Sequence, residues 1–368
     1  MKNFNWTEGS FLIGYHLALA ISLPIYLIYT PLNLWLILSA FLLFVFAALG
    51  ITAGYHRFYT HKTFKPHPIL EVGMLFFSTL AVQGSALQWA HDHRLHHRHV
   101  DTDKDPYQTK DGFWHSHLLW MFQKRESFDP GLVSDLAKNP MVSFQDRHYI
   151  ALVAVVNLVP VLLLGWAFSD FAGAFVIALL ARMFLVHHCT WFINSLAHMW
   201  GVKPFSTEHS AVNNWFLALL TMGEGYHNYH HTFAGDYRNG VRFYQYDITR
   251  VLIWLASKFG LASGLRTVKD STIRKRLVIE DRKLMLAKID GRTEPAKTRL
   301  KREIVGISDN LVRRLGDLES IRQHLAAVKK SSRDSDLMVR LRDELKYLKR
   351  AIRRESRAWA KLCRQVAA

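Results

Sequence analysis

Residues 91–97 read HDHRLHH, and residues 227–231 read HNYHH. Both stretches place histidines at positions i, i+3 and i+4, and a further pair, His56 and His61, lies in GYHRFYTH at 54–61. On a helix these three positions project from one face, so each triplet is predicted to aim three imidazoles at a single point. Neutral imidazole binds Fe, Zn, Cu and Ni. Because eight imidazoles exceed what one four-coordinate zinc can use, two metal ions are predicted.

Four apolar stretches are each long enough to cross a hydrocarbon core of about 30 Å, which needs about 20 residues. The first two stretches and the last two stretches each form a pair joined by a short turn, at 31–33 and 169–171. These turns carry no Lys or Arg, whereas basic residues lie in 54–148 and after 191. By the positive-inside rule, both termini and every histidine box are predicted to be cytoplasmic. The sequence thus predicts an all-α, multi-pass integral membrane protein with a cytoplasmic helical cap. The predicted spans are 11–30, 34–52, 149–168 and 172–190.

A fifth apolar stretch, 69–90, decides whether the histidine boxes can share a site. If it crossed the bilayer, the first histidine pair would lie on the opposite side from the other boxes. The stretch carries Glu71, Gln83 and Gln88, which are costly in lipid. We therefore predict one non-spanning helix that packs under the cap or lies at the membrane interface.

The basic charge is concentrated in the last part of the chain. Residues 265–368 hold 29 Lys+Arg and 14 Asp+Glu, against 18 and 16 in 1–264, so we predict two domains with these bounds. Apolar residues in the extension follow heptad spacing over 304–328 and 338–362, which indicates a helical hairpin or coiled coil. Self-association is one possible role, and binding of anionic membrane lipid at about 1 kcal/mol per basic residue is another. Nucleic acid is not expected as a partner of a chain with four spans.

The boxes HRFYTH, HDHRLHH and GEGYHNYHH, together with NSLAH at 194–198, resemble the membrane-bound acyl-CoA desaturase family, to which stearoyl-CoA desaturase belongs. The resemblance runs from about residue 40 to 265 and leaves the extension outside. It implies a centre of two iron ions held by nine histidines, with Asn194 linked through water. Carried over motif by motif, the ligands are His56, His61, His93, His96, His97, His198, His227, His230 and His231.

The same resemblance implies a fatty acyl desaturase that uses O₂ and two electrons to introduce a cis double bond, expected at delta-9, into saturated acyl-CoA. A separate ferredoxin or cytochrome would supply the electrons, because the sequence shows no haem or flavin motif. Two basic side chains would suit the CoA phosphates. The implied acyl-CoA contacts are Asp92, Lys124, Arg125 and Trp191. His91 and Gly84 stand where the animal pattern has arginine and asparagine, so acyl-lipid desaturation stays an alternative.

A hydroxylase and a non-enzymatic membrane scaffold are the two further alternatives to a desaturase. An alkane or fatty-acid hydroxylase shares histidine boxes and spans, but the order of TWFINSLAH and GEGYHNYHH favours desaturation. A non-enzymatic membrane scaffold organised by the extension would leave the nine histidines unexplained.

Overall fold

The computed structural model of the chain describes residues 4–124, 128–291, 293–331 and 335–367. The chain divides into two compact units. The first comprises Met1–Lys203 and Glu208–Thr267, and the second comprises Pro204–Thr207 and Val268–Ala368. The predicted boundary after residue 264 falls near the end of the first unit, and the separate function of the two parts stays a prediction.

Regular structure in the described ranges is almost entirely helical. The α-helices are α1 (Trp6–Tyr29), α2 (Leu34–Leu49), α3 (Pro68–Leu80), α4 (Ala86–His99), α5 (Phe113–His117), α6 (Ser134–Ala137), α7 (Pro140–Arg147), α8 (Tyr149–Ala167), α9 (Phe171–Gly173), α10 (Arg182–Asn194), α11 (Trp215–Leu220), α12 (His227–Thr232), α13 (Ile248–Lys258), α14 (Asp270–Ile289), α15 (Glu294–Ser331) and α16 (Ser335–Ala367). Wider π-helical turns cover Gly50–Thr60 and Ala174–Ala181, and tighter 3₁₀ turns cover Thr109–Asp111, Leu119–Phe122, Pro130–Val133 and Leu196–His198. Two short strands, β1 (Lys65–Pro66) and β2 (Ala262–Ser263), pair antiparallel.

Within the described ranges, four helical stretches are long and apolar enough to cross a membrane: Trp6–Tyr29, Leu34–Thr60, Tyr149–Ala167 and Phe171–His198. The first and third are only 22% buried within the protein, so most of their apolar side chains point outward, where lipid would cover them. The four predicted stretches are thus confirmed as apolar helices. The bounds differ, because the first begins at Trp6 and the second continues through the first histidine box to Thr60.

The stretch 69–90 contains no membrane-length helix, as predicted, but it is not one continuous helix, and that part of the prediction is wrong. Val82 and Gly84 adopt φ angles of 55° and 89°, a left-handed conformation that interrupts the helix between α3 and α4. The 13-residue α3 extends only about 20 Å, too short for a hydrocarbon core of about 30 Å. Its buried Glu71 accepts hydrogen bonds from Tyr59 (3.2 Å) and Asn139 (2.6 Å), so its carboxylate is paired with protein groups.

Close packing of α3 against the chain after α2 fixes the first histidine box. A Cβ atom on Gly50 would lie 2.5 Å from the backbone nitrogen of Ser78, and one on Gly54 would lie 3.1 Å from Cβ of Met74. Glycine at these two positions therefore permits a helix contact that a larger residue would push apart. The π-helical turns that follow bring His56 into the protein interior, where it is 4% exposed. Wide helical turns of this kind are frequent at functional sites.

The described part of the extension forms three helices, namely the packed pair α15 and α16, over which the heptad series run, and an additional helix, α14. α14 shares a buried core with α15 and α16, to which Met285, Ile304 and Trp359 contribute. Arg314, which interrupts the first heptad series, pairs with Glu355 of α16 at 2.8 Å, and the neighbouring Leu315 takes the buried position. Heptad spacing revealed α15 and α16, but α14 lacks that pattern and was missed.

Candidate metal centre

The nine predicted histidine ligands lie together in two groups. In each group the candidate ligand atoms lie within 4.8 Å of one another. The five-histidine group consists of His56, His61, His93, His97 and His230, and the four-histidine group consists of His96, His198, His227 and His231.

Each triplet is divided between the two groups. His93 and His97, at positions i and i+4, belong to the five-histidine group, whereas His96, at i+3, belongs to the other. The second triplet reverses this arrangement, with His230 alone in the five-histidine group. The prediction that each triplet aims at a single point is therefore wrong. Successive helical residues are rotated by about 100°, so positions i+3 and i+4 point to either side of position i. Both α4 and α12 thus contribute to both groups.

Ring nitrogens converge within each group. Nε2 of His230 lies 3.0 Å from Nε2 of both His56 and His97. In the four-histidine group, Nε2 of His227 lies 3.1 Å from Nε2 of His198. A neutral imidazole carries one N–H, so a ring that donates through Nδ1 presents a lone pair at Nε2. Lone pairs this close repel one another, and a cation between them would remove the repulsion. The donor set therefore fits metal ions that accept imidazole nitrogen.

The outer nitrogen of each of four rings lies close to a polar side-chain oxygen. Such contacts fix the tautomer and direct the remaining nitrogen toward a metal. The Nδ1 contacts are His56 to Glu224 (2.8 Å), His93 to Tyr107 (3.1 Å), His96 to Asp105 (2.9 Å) and His198 to Ser210 (2.6 Å). Each group therefore contains one histidine anchored by a buried carboxylate.

Glu224 belongs to a buried network of charged groups. Arg57, which is 1% exposed, donates from Nη2 to Glu224 (2.9 Å) and to Asp247 (2.9 Å). Asn239 donates to the second Glu224 oxygen at 2.6 Å, and the same oxygen lies 2.8 Å from Nδ1 of His56. The guanidinium and amide donors thus hold the carboxylate that orients His56. The sequence contains a signal for two of these residues, because Arg57 lies inside HRFYTH and Glu224 inside GEGYHNYHH, but their contact with each other was not predicted.

Two glycines on either side of Glu224 allow the chain to enter this crowded interior. Gly223 has a φ angle of 111°, and a Cβ atom there would lie 2.5 Å from a carboxylate oxygen of Asp247. A Cβ atom on Gly225 would lie 2.2 Å from the backbone nitrogen of Ala218. The two glycines in GEGYHNYHH therefore allow the backbone to approach its neighbours closely enough to place Glu224 behind the histidine rings.

Burial keeps several of the candidate ligands neutral. Desolvation, together with neighbouring imidazoles, lowers the pKa of His93, His97 and His230 well below the ordinary value of 6.5. Burial does the same to the pKa of His61, whose Nε2 has no hydrogen-bond partner among the described residues. Burial opposes ionisation of Glu224, but Arg57 and His56 together outweigh it and lower the pKa of that carboxyl. Neutral rings at pH 7 are the form that binds metal.

A cavity of about 690 Å³ adjoins the five-histidine group. His56 and His93 form part of its wall, together with Asn194, the residue expected to act through water. Apolar side chains from α1, α8 and α10 supply much of the remaining lining. Such a cavity suits an apolar ligand that is oriented by a few polar groups.

The four predicted substrate contacts differ in position. Asp92 and Trp191 line the cavity. Asp92 accepts a hydrogen bond (2.9 Å) from the side chain of Gln88, which lies on the same helix, α4. Lys124 is exposed and does not line the cavity, and Arg125 lies outside the described residues.

Further histidines surround Trp191. His187 contacts the hydroxyl of Tyr15 through Nδ1 at 2.9 Å and also lines the cavity. His188 lies 3.1 Å from Nε2 of His16 and 3.0 Å from Nε2 of His117. Burial lowers the pKa of His117 to about 4, so this ring is neutral at pH 7. Among these four rings only His187 lines the cavity, and none of them belongs to the two histidine groups.

Four membrane-length helices, two histidine groups suited to metal ions and an apolar cavity beside the five-histidine group together fit a polyhistidine membrane protein. The chain belongs to the fatty acid desaturase family, which it matches over residues 32–261.

Similar proteins include a probable acyl-CoA desaturase of Schizosaccharomyces pombe, which is 42% identical over 77% of this chain and 59% of the relative. Acyl-CoA desaturase 1 of Saccharomyces cerevisiae is 38% identical over 77% of this chain and 56% of the relative. The chain therefore spans less than two thirds of the length of these yeast proteins. The sn-1 stearoyl-lipid 9-desaturase of Anabaena variabilis is 33% identical over 71% of this chain and 94% of the relative.

Proposed function

We propose that the protein is an acyl-CoA desaturase that introduces a cis double bond, at delta-9, into a saturated fatty acyl chain. The observation that carries this proposal is the pair of histidine groups beside an apolar cavity whose wall includes His56 and His93. Membership of the fatty acid desaturase family supports it.

In this proposal the two histidine groups each hold one iron ion, and Asn194 acts through a water molecule. When bound, the iron centre would supply the oxidising power for converting a CH₂–CH₂ unit, O₂, two electrons and two protons into a CH=CH unit and two waters. Side chains alone do not provide such an oxidant. Glu224 and Asp105 orient rings toward the metals, and the cavity excludes water and holds one part of the acyl chain beside them.

The relatives support a thioester substrate more than an intact lipid. The two yeast relatives are named acyl-CoA desaturases and are 42% and 38% identical to this chain. The lipid desaturases of Anabaena variabilis and Nostoc are 33% and 37% identical. We propose that Asp92 and Trp191 contact the substrate at the cavity, while Lys124 and Arg125 pair with CoA phosphates. Acyl-lipid desaturation is the second candidate, supported by the coverage of 94% of the Anabaena protein.

Delta-9 is proposed on the names of several relatives. Two enzymes of Caenorhabditis elegans, 38% and 35% identical, are named delta(9)-fatty-acid desaturases. Relatives from Trichoplusia ni and Acheta domesticus carry delta-11 and delta-12 in their names at 35% and 36% identity. The relatives are named for different double-bond positions. The depth of the cavity relative to the histidines is therefore expected to determine at which carbons the double bond forms.

The proposed arrangement in the cell places both termini, the histidine groups and the extension on the cytoplasmic side. The electrons come from a separate ferredoxin or cytochrome. The extension serves attachment to anionic lipid or self-association. A stripe of exposed basic residues on α16 supports lipid attachment. Its members are Lys346, Lys349, Arg350, Arg353, Arg354, Arg357, Lys361 and Arg364.

Product analysis tests the proposal. Membranes containing the protein and an electron donor are incubated with labelled stearoyl-CoA or with a labelled stearoyl phospholipid. The proposal predicts a cis-9 alkene from the thioester, and the His230→Ala variant provides the inactive control. An alkene formed only from the phospholipid would establish the second candidate. A hydroxylated product would contradict desaturation.

A further inference from the structure

The carboxylates behind the two histidine groups have different surroundings. Asp105, which is 5% exposed, lies 2.9 Å from Nδ1 of His96. Its other hydrogen-bond donors are the backbone N–H groups of Tyr107 (3.2 Å) and Asp101 (3.3 Å). Within the described residues, no Lys or Arg side chain pairs with Asp105. Its negative charge is therefore balanced only by neutral donors and by the histidine it contacts.

Glu224 contacts Nδ1 of His56 in the same way, but Glu224 is also paired with the Arg57 guanidinium. Arg57 donates two hydrogen bonds to one oxygen of Glu224, from Nε at 3.1 Å and from Nη2 at 2.9 Å. Asn239 donates to the other oxygen at 2.6 Å. Charge-assisted contacts with a guanidinium draw electron density from a carboxylate. Arg57 also pairs with Asp247. Its two hydrogen bonds to Glu224 still leave that carboxylate acting on His56 with less net charge than Asp105, which pairs with no described cation, acts on His96.

A carboxylate on the outer nitrogen of a metal-bound histidine raises the basicity of that ligand. A more basic ligand stabilises the more highly charged form of the metal, and low local dielectric strengthens the effect. We infer that the two metal positions are electronically inequivalent and that Asp105 makes the metal of the four-histidine group the harder one to reduce. This inference rests on the proposed iron centre.

Two variants separate the charge of Asp105 from its structural role. Asp105→Asn keeps an oxygen that can accept from His96 and from the Tyr107 N–H, and it removes one negative charge. Asp103→Asn makes the same substitution in the same loop at an exposed residue that contacts neither histidine group. Both full-length variants and the parent protein are purified with ⁵⁷Fe. Their irons are followed by Mössbauer spectroscopy during a reductive titration.

The parent protein is expected to show two irons that become ferrous at separable potentials. Asp105→Asn should raise the lower potential toward the higher one and so narrow the separation, while Asp103→Asn should leave both unchanged. Simultaneous reduction in the parent protein, or an unchanged or wider separation in Asp105→Asn, would overturn the inference while leaving the desaturase proposal intact. A parent protein that retains no iron would instead overturn the proposed function and with it the inference.

Discussion

Nδ1 of His56 lies 2.8 Å from Oε2 of Glu224, so this carboxylate lies directly behind a ring of the five-histidine group. The two residues are far apart in the sequence and meet only in the folded chain. The contact fixes which nitrogen of His56 faces the other histidines.

Replacing Glu224 by Ala should weaken metal binding by the five-histidine group about 10–100-fold, the range typical of removing such a support. The four-histidine group should keep its metal, so iron content should fall toward half. The measurement is iron per chain after dialysis against a chelator. Glu344→Ala, at an exposed position in the extension, is the control and should retain all the iron. Full retention by Glu224→Ala would show that His56 is oriented without this carboxylate.

Acid should destabilise the protein below about pH 6.5. In the folded chain the pKa of His93, His97 and His230 is lowered by burial, whereas in the unfolded chain these rings titrate near the ordinary 6.5. Below 6.5 the unfolded chain therefore binds more protons, and the free energy of unfolding falls as pH falls. Each ring contributes up to about 1.4 kcal/mol per pH unit.

Thermal unfolding of the metal-free protein across this pH range is the measurement. The midpoint should be nearly constant above 6.5 and should decline below it. A midpoint that rises on acidification would mean that the rings gain protons on folding, which is the opposite of what burial does to their pKa.

The packing of α3 predicts opposite effects of two Gly→Ala substitutions. At Gly50 the new Cβ would lie 2.5 Å from the Ser78 nitrogen, so Gly50→Ala should cost about 1–3 kcal/mol by overpacking. At Gly73, within α3 itself, no atom lies within 4 Å of the added Cβ. Gly73→Ala should therefore be neutral or stabilise by about 0.5–1 kcal/mol. The measurement is the free energy of unfolding of each variant in detergent. Equal changes for Gly50→Ala and Gly73→Ala would disprove the close contact between Gly50 and α3.

Much of the membrane region and most of the metal site follow from the sequence. Long apolar stretches and regular histidine spacing are local patterns, and both appear in the structure. The division of each triplet was missed because the spacing shows a shared face but not the 100° or so between positions i+3 and i+4. Glu224 and Asp105 were missed because an anchoring carboxylate is defined by a tertiary contact. The break at Val82 was missed because one glycine was too weak a signal against an apolar run.

The basic stripe on α16 should bind anionic lipid. Like charges at i, i+3 and i+4 repel one another, and Glu355, the sole acidic residue in this part of the helix, pairs instead with Arg314 of α15. Hydrogen exchange of α16 should slow in nanodiscs with anionic lipid but not in zwitterionic ones. The protection should vanish at 1 M salt, where the Debye length is about 3 Å.

Glutamate replacements in the stripe at Arg350, Arg353 and Arg357 should abolish the effect. The same replacement at Arg299, Lys301 and Arg302, exposed cations of α15, is the matched control. Protection that is equal in both lipids and grows with protein concentration would assign α16 to self-association.

Metal analysis of the purified full-length protein tests the central claim most directly. Two groups of neutral imidazoles, with no carboxylate oxygen among their candidate ligand atoms, should hold about two iron ions per chain. His97→Ala and His230→Ala should each reduce that number, because both rings belong to the five-histidine group. A single stoichiometric zinc per chain, unchanged in these variants, would contradict the account.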